Sequence, residues 1–334
     1  MPRFTPSLDA LADAVFPLKR AIEKSLRPHR LTFSMSRPFA TAIMVAASCL
    51  ALTARPSRAV IIGVDGLSPD GIRKAQTPHF DQLMKQGAFS LRARAVMPTS
   101  SSPNWASMIM GAGPEQHGVT SNDWETNKFD IEPVVRGPGG MFPTIFGLLR
   151  EQRPDAHIAC LHDWDGFGRL MERSALNHLE HVKDAIETAG KASSYFREKR
   201  PTFLFIHFDG VDHAGHSFGW MSAQYLKAVE LTDSLIGAVL QAVRDSGVAD
   251  QTTVLVTADH GALGTKHGGA TMQEILIPWI IKGPGVVAGK EIQTPLNTYD
   301  TAVTVAYIFG LKTPDCWIGK PIIDAFELPP PTSR

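Results

Sequence analysis

The feature that most constrains this chain is a repeated order: a short apolar, β-branched run, then a stretch of helical period, then another apolar run. Ala59–Val64 is the first run. It is apolar on both faces of its two-residue repeat, which suits a strand buried within a parallel sheet. His157–Leu161, Phe203–Phe208, Thr253–Thr257 and Ile275–Ile281 read as further strands. Between them a helix starts at Thr77, as N-cap, with Pro78 at its first position, and ends at Gly87. Pro103–Met110, Val182–Lys199, Ser222–Ser246 and Tyr299–Phe309 also carry helical signals. Strands separated by helices predict an α/β fold: a doubly wound, mostly parallel central sheet with helices on both faces.

In such sheets ligands bind beyond the carboxyl ends of the strands, so the residues that follow the strands are the ones to inspect. After the first strand comes Asp65-Gly66. After the third comes Asp209-Gly-Val-Asp212-His213-Ala-Gly-His216. After the fourth come Ala258-Asp259-His260-Gly261 and then His267-Gly-Gly. Asp and neutral His are oxygen and nitrogen ligands of zinc and similar cations. A single Asp-His pair is a commonplace of protein surfaces, whereas three sets at the ends of one sheet converge on a metal site. The middle set offers two registers, Asp209 with His213 and Asp212 with His216. Ahead of the Pro103–Met110 helix stands the hydroxyl cluster Thr99-Ser100-Ser101-Ser102. A hydroxyl there serves as a helix cap, and the same helix end favours an anionic phosphate.

Composition narrows the alternatives. Lys+Arg and Asp+Glu are balanced at 33 each, so no basic excess points to nucleic acid. The three cysteines, Cys49, Cys160 and Cys316, form no CxxC pair, which argues against a thiolate zinc site. Cys160 lies in an apolar run and reads as a buried free thiol; a disulfide with Cys316 is open if the chain is exported. The segment 39–54 is apolar and uncharged, between Arg37 and Arg55. It is short of the roughly 20 residues that cross a bilayer and reads as the core of a signal peptide, with cleavage after Ala54. A start at Met35 would make it an ordinary leader, and use of that leader would send the protein to the periplasm or outside the cell. The organisation expected is a 1–58 arm, a 59–328 catalytic domain and a 329–334 tail, with no stable membrane span.

Five segments in one order resemble the type I phosphodiesterase/nucleotide pyrophosphatase family of the alkaline-phosphatase superfamily. They are Val64-Asp65-Gly, Pro98-Thr-Ser-Ser101-Ser-Pro-Asn104, His117-Gly-Val-Thr-Ser-Asn122, Asp212-His-Ala-Gly-His216 and Asp259-His260-Gly. The resemblance runs from about Val60 to Ile323. Its Asp-x-x-Gly-His pattern selects Asp212 and His216 and leaves Asp209 and His213 as supporting residues. It implies two divalent cations, zinc by ligand type. One would be held by Asp212, His216 and His267, the other by Asp65, Asp259, His260 and Ser101. It also implies Ser101 as nucleophile, where the family commonly has Thr, with Ser100 and Ser102 as rivals, and Asn122 as donor to a phosphate oxygen. A small phosphate ester is the implied substrate, cleaved at a phosphodiester or pyrophosphate bond through a covalent phosphoserine.

Other readings share the metal core. A phosphomonoesterase would use the same ligands. A sulfatase would place Arg where Ser101-Ser-Pro-Asn-Trp105 has Trp. A non-catalytic member would have lost a ligand or the nucleophile, and none is missing. Trp105, Trp124 and Trp164, with Phe167 and Trp220, are the candidates for a pocket around the substrate's substituent.

Overall fold

The computed structural model describes residues 56–327. The leader, its cleavage point and the tail fall outside the described residues, as does Cys49. Strand β1 (Arg58–Val64) is the axis of an eight-stranded sheet. The other strands are β2 (Ala88–Arg94), β3 (Ile158–His162), β4 (His178–His181), β5 (Phe203–Phe208), β6 (Thr252–Thr257), β7 (Leu276–Lys282) and β8 (Lys290–Glu291), in the spatial order β4-β3-β5-β1-β6-β7-β2-β8. β1 lies parallel to both β5 and β6, with Val64 opposite Phe208 and Gly63 opposite Thr257. β7 runs antiparallel to β6 and to β2, so the sheet is mixed but mostly parallel. The central strands β3, β5 and β6 are buried at every position, the consequence of helices on both faces.

One helical layer comprises α1 (Pro69–Lys74), α2 (Pro78–Gln86), α6 (Ala185–Lys199), α7 (Gly210–Phe218) and the 23-residue α8 (Ala223–Asp245), which touches the other four. The opposite layer packs α3 (Ser101–Met110), α5 (Ile145–Gln152) and α10 (Asp300–Phe309) together, with short α4 (Pro114–His117) against α3. A further turn of helix, α9 (Met272–Ile275), leads into β7. Several starts are side-chain capped: Asp184 accepts from Glu187 N–H, Ser222 from Tyr225 N–H, and Thr144 from Phe146 and Gly147 N–H.

The expected elements are present, with two differences. Thr77 occupies the N-cap of α2, but its hydroxyl turns back to Ile72 O and caps nothing. Buried Asp233 of α8 takes over, accepting from the N–H groups of His79 and Phe80 and from His79 Nδ1 at 2.8 Å. The stretch from Val182 is not all helix: a turn after the edge strand β4 takes up its first residues, and α6 begins at Ala185 with Asp184 as N-cap. Cys160 and Cys316 are both free thiols, Cys160 buried in β3. Among the described residues no helix is long and apolar enough to cross a membrane.

Candidate metal and phosphate site

The site forms where β1, β5 and β6 end side by side. Asp65 follows β1, and its N–H donates to Phe208 O at the end of β5. Gly66, at φ +66°, turns the chain away; a Cβ there would lie 2.9 Å from Asp212. Asp259 and His260 follow β6, and Asp259 Oδ1 accepts from Gly66 N–H. The segment after β5 is helix α7, and it carries Asp212 and His216 one turn apart. The loop after His260 returns His267 to the same place.

The side chains fall into two groups. In the first, His260 Nε2 lies 3.1 Å from Asp259 Oδ2, 3.5 Å from Asp65 Oδ1 and 3.3 Å from Ser101 Oγ. In the second, His216 Nε2 lies 3.3 Å from Asp212 Oδ2 and 3.1 Å from His267 Nε2, which is 3.8 Å from Asp212 Oδ1. The His260 and His267 rings stack across the boundary at 3.8 Å. Each of these three histidines has Nδ1 within hydrogen-bond distance of a backbone carbonyl: Gly261 for His260, Thr265 for His216 and Thr99 for His267. Nδ1–H is thereby the donor in each ring, and every Nε2 keeps a free lone pair.

Metal binding fits an independent observation. Asp65 Oδ1, Asp212 Oδ1 and Asp259 Oδ2 are buried and accept no hydrogen bond. Buried carboxylate oxygens are rarely left so, and three converging on neutral imidazoles form a cation cage. Electrostatics agree. Burial, then repulsion from Asp65 and Asp209, pushes the Asp212 carboxyl up to about 9. Burial and Asp65 likewise raise Asp209 to about 7 and Asp259 well above the carboxylate range. Burial holds His260 neutral, at about 3. Asp65 is the exception: burial acts to raise it, but His207, His260 and the Trp105 indole outweigh burial and hold it at about 2. The groups whose ligand atoms come close together are Asp65, Asp259 and His260, then Asp212, His260 and His267, then Asp65, Asp209 and Asp212; they provide one or two candidate metal sites, with exposed His216 beside the second.

Ser101 is the first residue of α3, and Ser100 is its N-cap. Among the three rival serines, Ser101 Oγ faces His260, while the Ser102 hydroxyl is buried without a partner. Asn122 Oδ1 accepts from Ser102 N–H at 2.8 Å. That bond orients the amide and leaves Nδ2 as its free end. It also occupies one of the helix-end N–H groups; Pro103 has none, and Asn104 N–H is bound to Ser100 O. Arg169 donates to Asn122 O and pairs with Glu125 Oε1 at 2.8 Å, so it braces the Asn122 loop.

Of the aromatic pocket candidates, Trp105, Trp124, Phe167 and Trp220 are buried, and Trp164 is half-buried. Trp105 is fully buried, and its indole N–H donates to Asp65 Oδ2 at 3.0 Å. Its ring passes so close to Gly63 that a Cβ there would lie 2.6 Å away. Trp124 is buried against Phe129, and Phe167 is fully buried against Trp105. Trp220 donates to Gly66 O and sets its edge against His216. Trp164 alone of the three tryptophan candidates is partly open. His213 is exposed on α7.

Two residues join the site that motif reading passes over. His207, buried inside β5, lies between Asp163 Oδ1 at 3.2 Å and Asp65 Oδ2 at 3.4 Å. Burial opposes its charge, but the two carboxylates outweigh burial and raise it to about 9. Asp163 follows directly after β3, so the strand-end rule, applied to that strand too, would have found it. His207 leaves one signal, a lone polar residue within an otherwise apolar strand.

A mostly parallel sheet with Asp and His gathered beyond β1, β5 and β6, around a helix-end serine, defines an alkaline-phosphatase-like α/β protein. The chain belongs to the type I phosphodiesterase/nucleotide pyrophosphatase family, whose model matches residues 59–145 and 149–280. Bis(5'-adenosyl)-triphosphatase ENPP4 of Bos taurus is 22% identical over 218 residues, 63% of this chain and 48% of that protein. GPI ethanolamine phosphate transferase 1 of Emericella nidulans is 25% identical over 276 residues, 72% of this chain and 29% of that protein. The chain therefore spans less than half the length of these curated relatives. Human ectonucleotide pyrophosphatase/phosphodiesterase 5 shares the fold, with a TM-score of 0.68 at 14% identity, covering 81% of this chain and 100% of that one.

Proposed function

We propose that the chain is a metal-dependent hydrolase that cleaves phosphodiester or pyrophosphate bonds through a covalent phosphoserine at Ser101. The observation that carries this reading is the position of Ser101 Oγ, 3.3 Å from His260 Nε2 at the edge of the orphaned carboxylates. Asp65, Asp259, His260 and Ser101 would hold one cation, and Asp212, His216 and His267 the other; the donor types suit zinc. When bound, such ions stabilise developing charge and lower the pKa of a coordinated hydroxyl. Ser101 Oγ attacks phosphorus, the ester oxygen leaves on the opposite side, and water then releases the phosphoryl group from the serine. Asn122 Nδ2 donates to a non-bridging oxygen.

Charge favours the diester. A monoester dianion calls for a planar guanidinium fork, but no Arg or Lys lies between Ser101 and Asn122. Arg169 spends its fork on Glu125 and the Asn122 carbonyl. The test compares kcat/KM for matched aryl mono- and diesters on metal-stripped protein before and after zinc. Zinc-dependent turnover with the diester ahead is expected. Full activity in excess chelator would sink the metal reading; a large monoester advantage would overturn the preference alone. The 39–54 segment fits export, and a secreted product beginning near Arg55 by N-terminal sequencing is the expected outcome.

A further inference from the structure

We propose that His207, held by Asp163, is a positioning residue that restricts Asp65 to one ligand oxygen and ties the two halves of the metal site to each other. The inference rests on the two-cation reading above. Asp65 has two carboxylate oxygens in different surroundings. Oδ2 receives the Trp105 indole N–H at 3.0 Å, and His207 Nε2, which makes no hydrogen bond of its own, lies 3.4 Å from it as an ion-pair contact. Oδ1 has no hydrogen-bond partner and lies 3.5 Å from His260 Nε2. A carboxylate whose second oxygen is already engaged offers a cation one oxygen rather than two. It also cannot rotate about its own bond without breaking those contacts.

His207 is itself fixed from every side. It is fully buried, and its ring lies 4.8 Å from that of Trp105 and 4.9 Å from that of Phe167. Its Nδ1 lies 3.2 Å from Asp163 Oδ1. The same Asp163 oxygen accepts from Asp209 N–H at 2.8 Å, at the start of the helix that carries Asp212 and His216. Asp163 therefore sets the position of α7 on one side and, through His207, the orientation of Asp65 on the other. Such outer contacts orient ligands that they do not replace.

Two conservative substitutions separate this role from mere packing. A Gln side chain carries its amide nitrogen to about where imidazole Nε2 lies, and an Asn amide reaches the Nδ1 position. His207→Gln thus keeps a donor for Asp65, and His207→Asn keeps only the contact with Asp163. Calorimetric titration of zinc into metal-stripped wild type should show two equivalents. His207→Gln should stay within about threefold on both, whereas His207→Asn should weaken one cation by roughly 10- to 100-fold and leave the other unchanged. The zinc concentration that half-restores turnover should rise in step, with KM for the ester unchanged. Wild-type binding of both cations by His207→Asn, or equal losses in both variants, would overturn the inference. If His207→Asn fails to fold by circular dichroism, Asp163→Ala carries the test. Because Asp163 holds both His207 and the start of α7, the substitution should weaken both cations by about three- to tenfold, and unchanged affinity for both overturns the proposal. A wild type that takes up no zinc fails the two-cation reading itself, and the positioning role falls with it.

Discussion

At the residue scale the three consecutive serines of the hydroxyl cluster differ in surroundings, so they make separate predictions. Ser101→Ala removes the only one of the three hydroxyls that contacts His260, and should lower turnover by about 1,000-fold or more while fold and metal content persist. Ser101→Thr keeps a hydroxyl and should retain part of the rate. Ser102→Ala deletes a buried hydroxyl that has no partner, and should leave turnover intact and stability unchanged or slightly higher. Steady-state rates with a chemical denaturation curve for each variant check all three; loss of activity in Ser102→Ala with Ser101→Ala active would move the nucleophile by one position. The ligand types were legible because Asp and His directly after buried strands stand out against apolar runs. His207 and the Trp105 indole were not, since both sit inside apolar segments and their role depends on which neighbour the fold supplies.

Elements were legible in proportion to their burial. The central strands β1, β5 and β6 announce themselves as apolar runs, but β4, His-Leu-Glu-His at the end of the sheet, has no such run because an edge strand needs none. Strand β2 alternates buried and half-exposed residues and includes Arg92, so it has no apolar run to announce it either. Helix caps supplied from distant elements cannot be read locally. Asp233→Ala should cost about 2 kcal/mol by denaturant titration, since it strips acceptors from the start of α2 and from His79. A loss under about 0.5 kcal/mol would mean that solvent caps α2 equally well. His117 joins α3 to α4. Its Nδ1 accepts from Val119 N–H, and its Nε2 lies 3.0 Å from Ser107 Oγ. Burial lowers its pKa to about 3, so between that value and the ordinary histidine range the unfolded chain binds a proton that the native state refuses. Stability should accordingly fall as pH drops through that window, by up to about 1.4 kcal/mol per pH unit from this group. His117→Asn keeps an acceptor for Val119 and cannot titrate, so its stability should fall less steeply between about pH 6 and about pH 4.5. Parallel slopes for the two proteins would contradict this.

At the scale of the whole molecule, the sheet concentrates negative charge where three strands end, although the chain as a whole is balanced. Asp65, Asp209 and Asp212 bring carboxylate oxygens within 4.8 Å of one another, and Asp65 and Asp259 meet at His260. Sequence showed which carboxylates follow strands; it could not show that β7 enters antiparallel beside β6, or how closely the strand ends draw these groups together. That crowding has a consequence for pH. In the metal-free protein burial and mutual repulsion raise Asp212 to about 9 and Asp209 to about 7, and raise Asp259 well above the carboxylate range, while in the unfolded chain each titrates near the ordinary Asp value. Below the ordinary histidine range the buried neutral histidines His117, His162 and His260 offset this, because the unfolded chain protonates them and the native state does not; above about pH 7 the native metal-free state holds more protons than the unfolded state, and the sign of the linkage makes its stability decline as pH rises there. Cations bound among these oxygens would displace the protons and reverse the trend, because each unit of pH then removes a competitor for the same lone pairs. Thermal unfolding from about pH 7 to about pH 8.5 should show Tm decreasing for stripped protein and holding or increasing for zinc-loaded protein, with protons released on binding in calorimetry across buffers of different ionisation enthalpy. If zinc bound without proton release and both forms shared one pH profile, these carboxylates would not be the groups that hold the metal.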